Sequence, residues 1–106
     1  MSMRLFRIKE GRLQQFLDWG KFLQSNPEAL ETLREEGIQF EAFYYFQVGE
    51  DLFAMGVVDN PTPLSPSIRP INIIHRKVLK ECLIPLDGAH PIYVLRLDPP
   101  NPTLID

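Results

Sequence analysis

The chain holds one cysteine, Cys82. A single thiol excludes an internal disulfide and any cysteine-based zinc site. The charge imbalance is equally slight. Eleven Lys and Arg stand against fourteen Asp and Glu, a net charge of −3. A pI near 5.3 excludes a mainly electrostatic nucleic-acid binder, which needs a clustered basic face. No apolar run approaches the ~18 residues of a membrane span. Met1-Ser2-Met3-Arg4 lacks the hydrophobic region of a signal peptide. The six glycines, at 11, 20, 37, 49, 56 and 88, are isolated, so no phosphate-cradling loop is present. Neither G-x-S-x-G nor H-E-x-x-H occurs, and His75 and His90 lack the spacing of a metal pair. These absences imply no metal, no cofactor, no nucleic-acid partner and no membrane partner. They describe a cytoplasmic protein without a catalytic signature.

What remains is 106 residues with 44% hydrophobic side chains, enough for one domain spanning residues 1–106 with one core. Residues 3–9 alternate as a first strand. Residues 11–25 read as a helix, with Leu13, Phe16, Leu17, Gly20, Leu23 and Gln24 on one face and Trp19 and Phe22 flanking it. Asn26-Pro27 breaks that helix and caps a shorter one over 27–36, with Leu30 and Leu33 facing the core and Gly37 at its end. Residues 38–47 form a second strand and 52–58 a third, joined by a tight turn at 49–51 as a hairpin. A loop with three prolines covers 59–67. Residues 68–83 form the next helix, with Ile68, Ile71, Ile74, His75, Val78, Leu79 and Cys82 on one stripe and Ser67 able to cap its start. Residues 91–97 read as the fourth strand, and 98–106 as an extended proline-rich tail. The order is that of the split βαβ arrangement: an α+β, ferredoxin-like βαββαβ domain whose four-stranded antiparallel sheet carries its helices on one face.

The strands bear on assembly. Strand two carries Ile38, Phe40, Ala42, Tyr44 and Phe46 on one face, and Phe43 and Tyr45 among Gln39, Glu41 and Gln47 on the other. The pattern alone does not say which face meets the helices. Strands three and four are apolar on both sides, and helices cover only one, so a large apolar patch is left over. Such a patch points to a homodimer. Covering by the tail and the proline loop is the alternative.

Arg4 to Gly11 (RLFRIKEG), the helix with Phe16 and Trp19, the run Glu31 to Gly37, the following Phe40-Glu41 and the helix around His75 together resemble a small bacterial family of unknown function among the dimeric α+β barrel proteins. In that superfamily two ferredoxin-like sheets pack face to face. Its members include cofactor-free monooxygenases, haem enzymes, sugar mutarotases and ligand-binding regulators, so the resemblance implies a fold and a dimer without selecting an activity.

His75 is the sharpest chemical feature, because a histidine on an apolar stripe needs partners for both ring nitrogens. Glu41 is the second: a carboxylate among aromatics must be paired, with Arg7 or Arg96, or must line a pocket. Arg7, Trp19 and Tyr45 complete the candidate pocket. Cys82 reads as a small buried hydrophobe. Two functions follow. The first is a homodimeric small-molecule-binding or structural module. The second is a small cofactor-independent enzyme, monooxygenase- or isomerase-like, with His75 and Glu41 transferring protons.

Overall fold

A computed structural model of the chain describes residues 2–59, 64–95 and 97. The elements run β1 (Ser2–Ile8), α1 (Leu13–Gln24), α2 (Pro27–Glu35), β2 (Glu41–Val48), β3 (Asp51–Val58), α3 (Pro70–Cys82) and β4 (Leu83–Pro85). The architecture is α+β, with one four-stranded antiparallel sheet in the order β2-β3-β1-β4.

Local chemistry sets the joints. Asn26 Oδ1 accepts a hydrogen bond from Glu28 N at 3.0 Å, and Pro27 follows at the first helical position, so α1 stops and α2 starts within three residues. Gly37 takes φ 70°, the left-handed conformation that ends a helix. Gly49, at φ 62°, is the first residue of the two-residue turn between Val48 and Asp51.

Strand register assigns the faces. Phe43, Ala54 and Phe6 lie on one side of the sheet, through the pairs Phe43 with Gly56, Tyr45 with Ala54 and Ala54 with Phe6. There Phe6, Ile8, Ala54, Cys82 and Leu83 form the buried core, against which Leu13 and Phe16 of α1 and Val78 and Leu79 of α3 pack. Phe16 meets Phe43 edge to face, with centroids 5.4 Å apart. The Glu41–Phe43–Tyr45 side of β2 therefore faces the helices. Cys82 has no exposed surface at all, and its burial raises the thiol pKa.

The fourth strand is not where the sequence pattern puts it. Three residues directly after α3 take that place, pairing with Phe6–Ile8 of β1. The chain leaves α3 already beside β1: Cys82 O accepts from Lys9 N at 2.8 Å, and Leu86 N donates to Leu5 O at 3.0 Å. Leu83-Ile84-Pro85 thus reaches the edge first, and described residues 91–95 and 97 carry no regular structure. The expected tail over 98–106 lies outside the described residues.

Two further expectations change. Ile68 precedes α3 and is exposed, and Ile74 is also exposed. The buried stripe of α3 instead passes through Ile71, Asn72 and Cys82. Leu30 points largely to solvent rather than into the core.

Candidate functional site

Between the three helices and β2 lies an open cavity of about 820 Å³. Trp19 and Gly20 of α1, Leu33 of α2, Phe43 and Tyr45 of β2 and His75 of α3 supply its character. Most of the wall is apolar, with a few polar groups spaced around it, the usual make-up of a small-molecule site.

Helical spacing brings Trp19 and His75 together across the α1–α3 contact. Trp19 Nε1 donates a hydrogen bond to His75 Nδ1 at 2.8 Å. The two rings are nearly parallel, their centroids 6.1 Å apart, and Phe22 stacks on the indole at 5.2 Å. An indole N–H only donates, so His75 Nδ1 must be the unprotonated nitrogen and the neutral ring carries its hydrogen on Nε2. Among the described residues Nε2 has no partner, and no buried side-chain nitrogen is left unsatisfied. Nε2–H is therefore open to water or to a ligand. Burial lowers the His75 pKa below its usual 6.5. Protonating Nδ1 would also set two N–H donors head to head.

Glu41 opens β2 at the cavity mouth, where water still reaches it. The protein packed around it raises its carboxyl above the usual 4.5, and the negative charge of Glu36 adds to the shift. Glu41 has no ion pair among the described residues. Arg7 is not its partner: it projects from the opposite sheet face, opposite Phe53, and pairs with Asp51. Arg96 lies outside the described residues.

The structure thus brings Trp19, Glu41, Tyr45 and His75 to one cavity and leaves Arg7 outside it. His90 is exposed, and no group of three or more potential metal ligands occurs among the described residues.

Two features of the site escape the sequence reading. Glu36 and Asn72 line the cavity, and they belong to a latch between α2 and α3. Glu36 Oε2 accepts from Ser67 N at 2.9 Å and from Asn72 Nδ2 at 3.4 Å, while Asn72 Nδ2 also donates to Ser67 O at 2.8 Å. Ser67 Oγ donates to Glu35 Oε1 at 2.6 Å, and Arg69 Nε to Glu35 Oε2 at 2.9 Å, which lowers the Glu35 pKa. Asn72 stands three residues before His75 on the same helical face, a polar residue on an apolar stripe, and that was the available signal. Gly20, which the sequence places on the inner face of α1, lines the cavity from mid-helix. A Cβ built there would meet no atom within 4 Å.

A family model described as a family of unknown function (DUF6176) matches residues 1–101. No curated protein and no solved structure matches the chain.

Proposed function

We propose, from the premise that this chain belongs to the DUF6176 family and that the family's description assigns no activity, that the cavity binds a small apolar molecule bearing a hydrogen-bond acceptor, and that the protein works as a homodimeric binding module. The observation that carries this reading is the Trp19–His75 hydrogen bond. It fixes a neutral imidazole with one donor to spare at the wall of an apolar cavity. Gly20 supports it. A glycine inside a helix costs roughly 0.5–1 kcal/mol against alanine, and no contact within the protein requires this one. The omitted methyl leaves room in the cavity.

The order β2-β3-β1-β4, with α1 and α3 packed on one face, supports a ferredoxin-like domain of the dimeric α+β barrel kind. The other face supports the dimer: Tyr44, Phe46, Val48, Met3 and Ile84 each leave between 43% and 60% of their surface exposed.

A second reading rests on opposed shifts within one cavity. The Glu41 pKa is raised and the His75 pKa is lowered, so the two approach each other. Opposed shifts of this kind favour proton exchange between a carboxyl, an imidazole and a bound substrate. On this reading the protein is a cofactor-independent enzyme acting by proton transfer.

Trp19 is the single tryptophan, so its emission reports the site directly. Titration with the neutral apolar dye N-phenyl-1-naphthylamine should show saturable energy transfer from Trp19. Gly20→Leu should abolish it by filling the cavity, and His75→Ala should weaken it. Dye binding indifferent to both changes would remove the cavity from consideration.

A further inference from the structure

We propose that residues 91–95 act as a strand supplied to a second copy of this chain, adding to the outer edge of that copy's β2 and walling its cavity. The inference rests on the homodimer proposed above and names what each copy contributes.

The donor is conspicuous. Pro91-Ile92-Tyr93-Val94-Leu95 leads on to Leu97, a run with the composition of a strand. Yet Ile92, Tyr93, Val94, Leu95 and Leu97 are between 64% and 103% exposed, and 91–95 carry no regular structure. Consecutive large apolar side chains left in water make a patch that calls for a partner. Alternate residues of this run are apolar on both sides, which suits a strand covered on both faces.

The acceptor is as conspicuous. β2 ends the sheet, so among the described residues the backbone groups along its outer side, over Glu41–Val48, have no strand neighbour. An edge of this length without proline is open to strand addition. The opposite edge is poorer. There β4 is three residues long and contains Pro85, which has no N–H to offer. The five residues 91–95 fit within the eight-residue β2 edge.

The chain leaves the sheet at the edge opposite its own β2. Leu86 N is held to Leu5 O beside β1, at the β4 end of the sheet. Pro91 is five residues further on, at most about 18 Å of extended chain. The site beyond β2 lies four strand spacings from β4, about 19 Å in a straight line through the sheet. Any path over the side chains of either face is longer. Described residues 91–95 pair with no strand of their own chain, and two-fold exchange would satisfy both copies at once.

Area agrees. At 150–250 Å² for a whole aromatic, the exposed fractions of Tyr44, Phe46 and Tyr93 amount to roughly 500–900 Å² for two copies. That is about half of a standard interface before the aliphatic residues are included. The exchange also completes the site. The cavity wall reaches the edge of β2 through Ala42, Tyr44 and Tyr45, so a strand laid there becomes part of it.

The test uses the full chain and the double variant Tyr93→Asp/Leu95→Asp. Both positions are exposed in the single chain, so the substitutions leave its core intact. Sedimentation equilibrium should give twice 12.3 kDa for the native chain and 12.3 kDa for the variant. Hydrogen exchange should show the alternate, outward amides of β2 protected in the native dimer, and roughly 100-fold faster in the variant, as expected for amides that lose a strand partner. A dimer whose β2 amides exchange freely, or one that survives the double substitution, overturns strand exchange and leaves the face-to-face dimer standing. A native chain that is monomeric overturns both. A monomer with protected β2 amides would mean that the segment docks within its own chain, and it overturns the exchange as well.

Discussion

Phe43 lies across the backbone of its cross-strand neighbour Gly56: a Cβ at position 56 would stand 2.8 Å from Phe43 Cζ and 3.1 Å from Cε1. The same ring touches Phe16 of α1 and Phe6 of β1. The missing side chain on β3 thus lets β2 lean its aromatic onto the core. Gly56→Ala should force the ring outward and destabilise the fold by about 1–3 kcal/mol, the range for overpacking. Thermal melts check this, and Gly56→Ala/Phe43→Leu should recover part of the loss. A melting temperature unchanged by Gly56→Ala would show that the ring moves aside freely.

Gly20 should behave in the opposite way. Gly20→Ala adds helix propensity in α1 and meets nothing, so it should stabilise the protein by roughly 0.5–1 kcal/mol. It should also weaken dye binding. Stability and affinity moving in opposite directions at one methyl is the signature expected of a position kept small for a ligand. A gain in both would count against the cavity as a binding site.

His75 gives a pH dependence of known sign. Its folded pKa lies below the 6.5 of the unfolded chain, so the unfolded state binds more protons in the window beneath 6.5. The stability it contributes is complete above pH 6.5 and is lost as pH falls towards the folded pKa. Trp19 emission should change across the same window, because protonation of Nδ1 breaks the bond from the indole. Trp19→Phe should cost about 1–3 kcal/mol by leaving a half-buried acceptor unpaired. NMR titration of the His75 ring should place its pKa higher in that variant. A ring that titrates at 6.5 in both proteins would refute the coupling.

Glu41 shifts in the other direction. Its folded pKa lies above the 4.5 of the unfolded chain, so ionisation opposes folding. Below pH 4.5 the carboxyl is protonated in both states and carries no penalty. As pH rises from 4.5 through the folded pKa, stability is lost. Glu41→Gln should therefore raise the melting temperature at pH 7, with the difference vanishing below pH 4.5. Turnover lost together with this gain in stability would favour proton transfer, since a carboxylate kept at a cost to folding has a use elsewhere.

Much of this architecture is legible in the residues, and the gaps have physical causes. Asn26-Pro27, Gly37 and Gly49 mark joints because each satisfies a local backbone requirement, and local requirements are written locally. That Glu41 and Tyr45 share one face of β2, and that His75 lies on the α3 face turned to the sheet, follows from strand and helical periods. The last strand does not follow in the same way. Residues 91–97 have the stronger β composition, but Leu83–Pro85 reaches β1 first, because α3 delivers the chain there. Proximity decides that contest, and composition does not record proximity. Arg7 fails as a pocket residue for a related reason: strand alternation separates two faces without saying which is inner. Glu36 and Asn72 meet only because Ser67 ties α2 to α3 across 31 and 5 residues of chain, pairings no local pattern contains.

The thiol of Cys82 has a use of a different kind. It is fully enclosed at the junction of α3 and β4, where Lys9 N grips the adjoining carbonyl. A water-soluble thiol reagent can reach it only when that junction opens. The rate at which the native protein is labelled is then a clock for the opening of the sheet's β4 edge. If labelling keeps pace with global unfolding, the three residues of β4 belong to the cooperative core. If it runs ahead, β4 peels away first, and Leu86, held to Leu5 O beside β1, is released with each opening.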